Sequence, residues 1–342
     1  MNIEKKGEGK VRVIIVMMVM MMVMMGCNSG GRDPEKVFLS EMVNLGKGFL
    51  DVFVSFGDMI TGTLGIKAET KKSEIGKCFS DVEKTMQTTK VKLNEILEKH
   101  GKYEKVKTVV EQFISGIIEK IAAGAKEAAS GATSDGAIGN SKANEDASPA
   151  EAGSVNKLVK GIKEIVKVVL EGKGNPEATK TAEAERKSIG KLLSGKGAND
   201  GEEKHAAAAS ASIGAVSGAD ILQAIAKSVE TAGGVDIDQA KDAASIAASK
   251  KDNAADFAAA RNDAMIAGGI ALRAMAKDGK LSAKTGEDKS AHAINGAVAS
   301  AVNKVLSTLV IGIRNRVDEG LKEINKVLGE IKQGEISEAK TN

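Results

Sequence analysis

Apolar residues recur along this chain every three or four positions, and the recurrence divides it into elements. Between Asp33 and Ile60 the stripe is Phe38, Met42, Leu45, Phe49, Val52, Phe56 and Met59, with Leu50, Phe53 and Ile60 beside it. That spacing places one apolar face on a helix, so it predicts an amphipathic helix over 34–60. Asp33 would cap it and Pro34 would occupy its first position. A second stripe runs through Ile75, Phe79, Val82, Met86, Thr89, Leu93 and Ile96 and is closed by His100-Gly101. A third begins at Tyr103 and continues through Val106, Val110, Phe113, Ile117 and Ile121 into an alanine-rich end. Three long amphipathic helices joined by short turns predict a helical bundle.

At Ser130 the pattern stops. Residues 130–154 are small and polar without periodicity, which predicts an exposed loop. A helix returns with Val155, Leu158, Ile162, Ile165 and Val169 and breaks at Gly172–Pro176. From there to Lys289, alanine-rich helices such as His205–Ala211 and Ala254–Ala276 alternate with loops near 194–202, 231–236, 250–253 and 277–289. Alanine buries little area, so this half should be less stable per residue than the first. The longest stripe closes the chain, from Ile294 through Val305, Leu309, Val317 and Ile324 to Ile331. It predicts a helix of about 55–60 Å, with Gly312, Gly320 and Gly329 as points where it could bend. No stretch alternates with the period of a strand. The class is all-α.

The start of the chain changes how the rest is read. Lys5, Lys6, Lys10 and Arg12 precede an unbroken apolar run, Val13 to Met25, and Gly26-Cys27 follows at once. Thirteen apolar residues are too few to span a bilayer, which needs about 20, but they suit the apolar region of a secretory signal. A small residue before cysteine at that place resembles a bacterial lipoprotein signal. That resemblance implies cleavage after Gly26, then S-diacylglycerol and N-acyl groups on Cys27. Met24 and Met25 stand where such a signal usually has a branched and a small residue. Removing residues 1–26 takes away four basic and two acidic side chains, so the formal charge falls from +3 to +1. A nearly neutral chain makes no electrostatic case for nucleic acid. With no Trp, one Tyr and seven Phe, the core must be aliphatic. Once Cys27 carries lipid, Cys78 has no partner for a disulfide, and helix packing must carry the stability.

Candidate chemistry is sparse. His100, His205 and His292 lie far apart, and none has the i, i+4 spacing of paired metal ligands. Gly190–Gly197 approaches the phosphate-loop pattern, but Gly197 replaces the Ser or Thr that would meet magnesium, and no apolar strand precedes it. Cys78, beside Phe79, reads as a small core residue. Charges such as Glu95 and Lys99 alternate at i, i+4 as on a solvated helix face. Neither a catalytic group, a metal site, a cofactor nor a small-molecule substrate is expected.

Three strings carry a family resemblance: DPEKVFLSEMVNLGKGFLDVFVSFGDMI (Asp33–Ile60), KTMQTTKVKLNEILEKHGKYEKVKTVVEQFISGIIEKIAAGAKEAA (Lys84–Ala129) and SVNKLVKGIKEIVKVVLEGKGNPEATKTAEAE (Ser154–Glu185). They resemble the variable large proteins of relapsing-fever borreliae, which are similar to the Lyme spirochaete antigen VlsE. The resemblance implies an elongated helical bundle with both termini toward the membrane and variable segments at the far end. It implies a lipoprotein of the outer membrane surface, expressed one copy at a time and switched to evade host antibodies. Its expected partners are therefore membrane lipid, through Cys27, and host antibodies. A single mature domain, 27–342, would then have membrane-proximal helices over 34–129 and 291–332 and a loop-rich distal part over 130–289. The sequence leaves a homodimer open. An adhesin for a host ligand would use the same architecture and is the alternative; a lipid-anchored enzyme or binding protein should instead show a βαβ pattern or a polar pocket.

Overall fold

The chain divides into two units, Met1–Met42 and Val43–Asn342. The computed structural model describes Ser40 and residues 65–100, 104–193, 201–250 and 255–339, and the fold below is that of the second unit. The leader, Cys27 and the helix predicted over 34–60 lie outside the described residues.

The first rods follow their stripes. Helix α1 (Lys72–His100) buries Ile75, Cys78, Phe79, Val82, Met86, Thr89 and Leu93. Its start is capped where the Lys71 N–H donates to Glu74 Oε2 at 2.8 Å. Next, α2 (Glu104–Phe113), a π-helical turn (Ile114–Ile118) and α3 (Glu119–Ala129) succeed one another without leaving helical backbone angles. The wider turn keeps Phe113, Ile114, Ile117, Ile118 and Ile121 all on the buried side. Helix α4 (Ala152–Val169) lies against α3 and buries the whole predicted stripe from Val155 to Val169. The two backbones approach closely because Gly124, Ala128 and Gly161 meet between them.

Short helices follow: α5 (Glu183–Ser188), α6 (Gly190–Leu193), α7 (Glu203–Ala215), α8 (Gly218–Lys227) and α9 (Ala243–Ala247), with a 3-10 turn at Ile237–Gln239. Then comes α10 (Asp263–Met275), which is buried almost all round and touches α1, α4, α7, α8, α9 and α11. The last helix, α11 (Asp288–Ala339), has 52 residues, or about 78 Å, longer than its apolar stripe predicts. Gly312 and Gly320 do not break it. They seat neighbours instead: a Cβ on Gly320 would overlap the Phe113 ring, and one on Gly312 would come within 3.1 Å of Val169. Part of α11, Asp288–Ile324, is long and apolar enough to cross a membrane, but Ile294, Val302, Val305, Leu309, Ile313 and Val317 are core residues. Among the described residues there are no strands, and four isolated β-bridges are the only extended pairings.

Two expectations need correction. The segment 130–154 is largely irregular, as its composition predicts, but it is not an exposed loop. Ala132, Ile138, Ser141 and Ala150 are buried, and only Thr133, Asp135, Gly136, Lys142, Asn144 and Asp146 face solvent between Gly131 and Ala150. Bridges Lys71↔Ala137, Ala143↔Ala283 and Ser148↔Lys280 tie it to the chain on either side. The helix expected over Ala254–Ala276 begins only at Asp263. Residues before it are pinned in another conformation: the Phe257 N–H donates to the Lys187 carbonyl, the Phe257 ring is buried, and Arg261 donates to the carbonyls of Asp238 and Ala240. Alanine's helix preference is too weak to resist those contacts.

Candidate functional site

The residues with reactive potential do not converge. His100 ends α1, His292 is exposed on α11, and His205 is buried at the start of α7. Among the described residues no three His, Cys, Asp or Glu side chains are placed to hold a metal. Cys78 is buried in α1, and burial pushes its thiol up to about 12, so thiolate chemistry at neutral pH is closed to it. Gly190, the first glycine of the phosphate-loop-like string, is a packing glycine. A Cβ there would stand 2.6 Å from the Ala255 carbonyl oxygen. The rest of that string, from Ser194, lies outside the described residues. An open groove of about 330 Å³ is lined by Glu104, Lys105, Thr108, Val109 and Val327, which offer neither a histidine nor a thiol.

His205 has a structural task. Its Nδ1 accepts a hydrogen bond from the Glu202 N–H at 3.2 Å, and the Glu202 side chain accepts from the His205 N–H in return, closing a capping box at the start of α7. Nδ1 must be unprotonated to accept, so the ring is neutral with its proton on Nε2, a buried atom without a hydrogen-bond partner. Burial pushes His205 below 6.5, Lys191 and Lys204 push the same way, and Glu202 and Asp256 oppose them.

What the interior does concentrate is buried charge directed at the main chain. Asp263, at the start of α10, accepts from the backbone N–H groups of Lys180 and Thr181 at 2.6 and 2.9 Å and from the hydroxyls of Thr181 and Ser212, each at 2.6 Å. Burial pulls its carboxyl upward, but those four donors hold it below its ordinary value. Arg273, near the end of α10, donates to the carbonyl oxygens of Lys280 (3.0 Å), Ser249 (2.9 Å), Leu193 (3.1 Å) and Ala247 (3.2 Å), with Ile246 at 3.5 Å. Lys72 Nζ donates to the carbonyls of Ala276 and Gly279 at 2.6 and 2.8 Å. Burial lowers Lys72 to about 8, against the pull of Asp278 and with the help of Arg273, and lowers Arg273 to about 9. Both are protonated at neutral pH, as their carbonyl partners require. The sequence pattern pointed to none of the three, although Asp263 and Arg273 are the only charged residues of an otherwise apolar thirteen-residue helix.

Among the described residues, then, there are rods and pinned loops but no reactive cluster. The family model described as Borrelia lipoprotein matches residues 49–328. The chain belongs to the Borrelia lipoprotein family. Variable large protein 4 of Borrelia hermsii is 53% identical, over 97% of each chain. Variable large protein 17 of the same organism is 55% identical, covering 97% of this chain and 96% of its own. The crystal structure of the Lyme disease variable surface antigen VlsE of Borrelia burgdorferi superposes with a TM-score of 0.69 at 34% identity, over 85% of this chain and 98% of that one. The all-α bundle of this family member is thus also the fold of a solved relative.

Proposed function

We propose that this family member is held at the outer membrane by lipid on Cys27 and presents its irregular half, within 130–289, to host antibodies. The chain is a variable surface antigen, not an enzyme, and its function is antigenic variation. Agreement with variable large proteins over 97% of the chain is the observation that carries this reading. The anchor reading rests on the basic, apolar and Gly-Cys regions of residues 5–27 together with membership of a lipoprotein family. The presenting surface rests on exposure. Glu171, Lys173, Asn175 and Ala182 to Glu185 are exposed, as are Glu230, Ala232 and Asp236, and these side chains lie outside the core. Such a function needs a stable frame and replaceable surface, not a pocket.

Two measurements test it. Cys27→Ser should abolish labelling by clickable palmitate and move the protein out of the detergent-rich phase, because several acyl chains anchor stably where one holds only reversibly. Protease shaving of intact cells should release peptides from 130–289 before any from α1 or α11. Undiminished labelling of the variant removes the anchor. Early release of α1 peptides removes the orientation.

A further inference from the structure

We propose that Arg273, assisted by Lys72, is a positioning residue that fixes the irregular half of the molecule by gripping main-chain carbonyls, a hold that itself asks nothing of the side chains the gripped residues carry. The inference deepens the antigen reading and rests on it for its use. Arg273 is 1% exposed and has no carboxylate among its hydrogen-bond partners. Its partners come from separate stretches: Leu193 ends α6, Ala247 ends α9, Ser249 follows α9, and Lys280 follows α10. The last carbonyls of a helix lack intrahelical donors; Arg273 supplies one to Leu193 and shares the Ala247 carbonyl with the Ala150 N–H. Lys72 does the same for the turn after α10 through Ala276 and Gly279.

The chemistry of the grip decides its consequence. A carboxylate partner would tie Arg273 to an Asp or Glu at one position of a loop. A carbonyl is presented by every residue, whatever its side chain. A guanidinium has five donors in a fixed plane, so one residue can hold several carbonyls in a defined arrangement, which a lysine ammonium cannot reproduce. The N···O distances of 2.9 to 3.2 Å to Ser249, Lys280, Leu193 and Ala247 are those of direct hydrogen bonds, with no water between.

Amide hydrogen exchange of the full-length chain tests this. Three reporters lie beside the gripped carbonyls: the Lys250 N–H bonded to Val235, the Lys280 N–H bonded to Ser148, and the Ser282 N–H bonded to Leu192. Arg273→Met keeps the stem and removes every donor. It should raise exchange at the three reporters by at least about tenfold while amides in the middle of α1 and α4 stay within about twofold of the parent. Lys280→Gln alters a gripped residue's side chain but not its carbonyl, and should leave the Lys250 and Ser282 reporters within about twofold. If Arg273→Met unfolds the whole chain, Arg273→Lys takes its place and should loosen the same reporters selectively. Unchanged reporters, uniform loosening of α1 and α4 along with them, or a Lys280→Gln effect at Ser282 equal to that of Arg273→Met each overturn the proposal. Exchange reads the fixing of the loops directly and has the same outcome whether or not antibodies select those loops.

Discussion

The closest approach of α3 and α4 gives a prediction whose sign depends on geometry. In a helix interior, Gly→Ala ordinarily stabilises by about 0.5–1 kcal/mol, because glycine loses more backbone freedom on folding. At Gly161 the space for a methyl is already filled: a Cβ would overlap the Ala128 N–H and the Gly124 carbonyl oxygen and stand 2.7 Å from Ala128 Cβ. Those are main-chain atoms of the neighbouring helix, which cannot rotate aside, so α4 must move away from α3 along its length. Overpacking of this kind costs about 1–3 kcal/mol, and rigid neighbours on both sides place it toward the upper end. Gly161→Ala should therefore be net destabilising by about 1–2 kcal/mol after the propensity gain is subtracted. Gly296, inside α11, is exposed and has nothing within 4 Å of its ideal Cβ. Gly296→Ala should stabilise by about 0.5–1 kcal/mol. Urea unfolding of the two variants and the parent, with unchanged slopes, reads both values. A Gly161→Ala protein as stable as Gly296→Ala would show that α3 and α4 are not in backbone contact, and the reasoning about small residues between them would fail.

Two further outcomes follow from buried groups. His205 is held below 6.5 by burial, so the stability it contributes is present above that value and is lost as pH falls from 6.5 toward the lowered folded value. The urea midpoint should drop between about pH 7.5 and about pH 5.5, and His205→Gln should flatten that drop; an identical slope in the variant excludes the capping box as its source. Ile138 is 1% exposed in a segment of polar composition, and Ile138→Ala should cost about 2–5 kcal/mol, whereas Thr133→Ala nearby, at an exposed position, should stay within about 0.5 kcal/mol by the same unfolding measurement.

The rods were legible because their stripes are large and regular. From Ile75 to Leu93, from Val155 to Val169 and from Ile294 to Val317, apolar residues repeat at helical spacing, and burial follows that spacing. Where apolar residues come singly, pattern says little. Ile138 sits between alanine and glycine with no periodic neighbour, so a polar composition hid a buried side chain. Burial of charge was hidden for a different reason. Lys72 follows Lys71 in a polar stretch, and nothing local distinguishes the 2%-exposed lysine from the exposed ones around it, because its carbonyl partners lie more than 200 residues away. Arg273 was more accessible to reasoning: a lone arginine between Leu272 and Ala274 in an apolar helix must either reach solvent or find acceptors.

These two kinds of residue explain how one chain combines a firm frame with an irregular half. In α1 to α4 and α11 most of the large buried side chains are Ile, Leu, Val, Met and Phe, each contributing about 1.5–3 kcal/mol on full burial. Around α7, α9 and α10 many of the buried residues are alanine or glycine, which remove far less apolar area from water. Burial alone gives that region little to oppose the entropy of ordering its loops. Hydrogen bonds to buried charged groups are stronger than neutral ones, about 1.5–3 kcal/mol each, provided that every donor is answered. At the two ends of one helix Asp263 accepts four such bonds and Arg273 donates through each nitrogen of its guanidinium, and Lys72 donates two from α1. Their desolvation cost is tolerable only while α10 stays surrounded, which ties the loops to the rods: loosening α10 would expose all three groups to water and release the segments they hold. Sequence change is therefore cheapest on exposed side chains of the irregular half and dearest on α10, the reverse of what its alanine- and glycine-rich composition suggests.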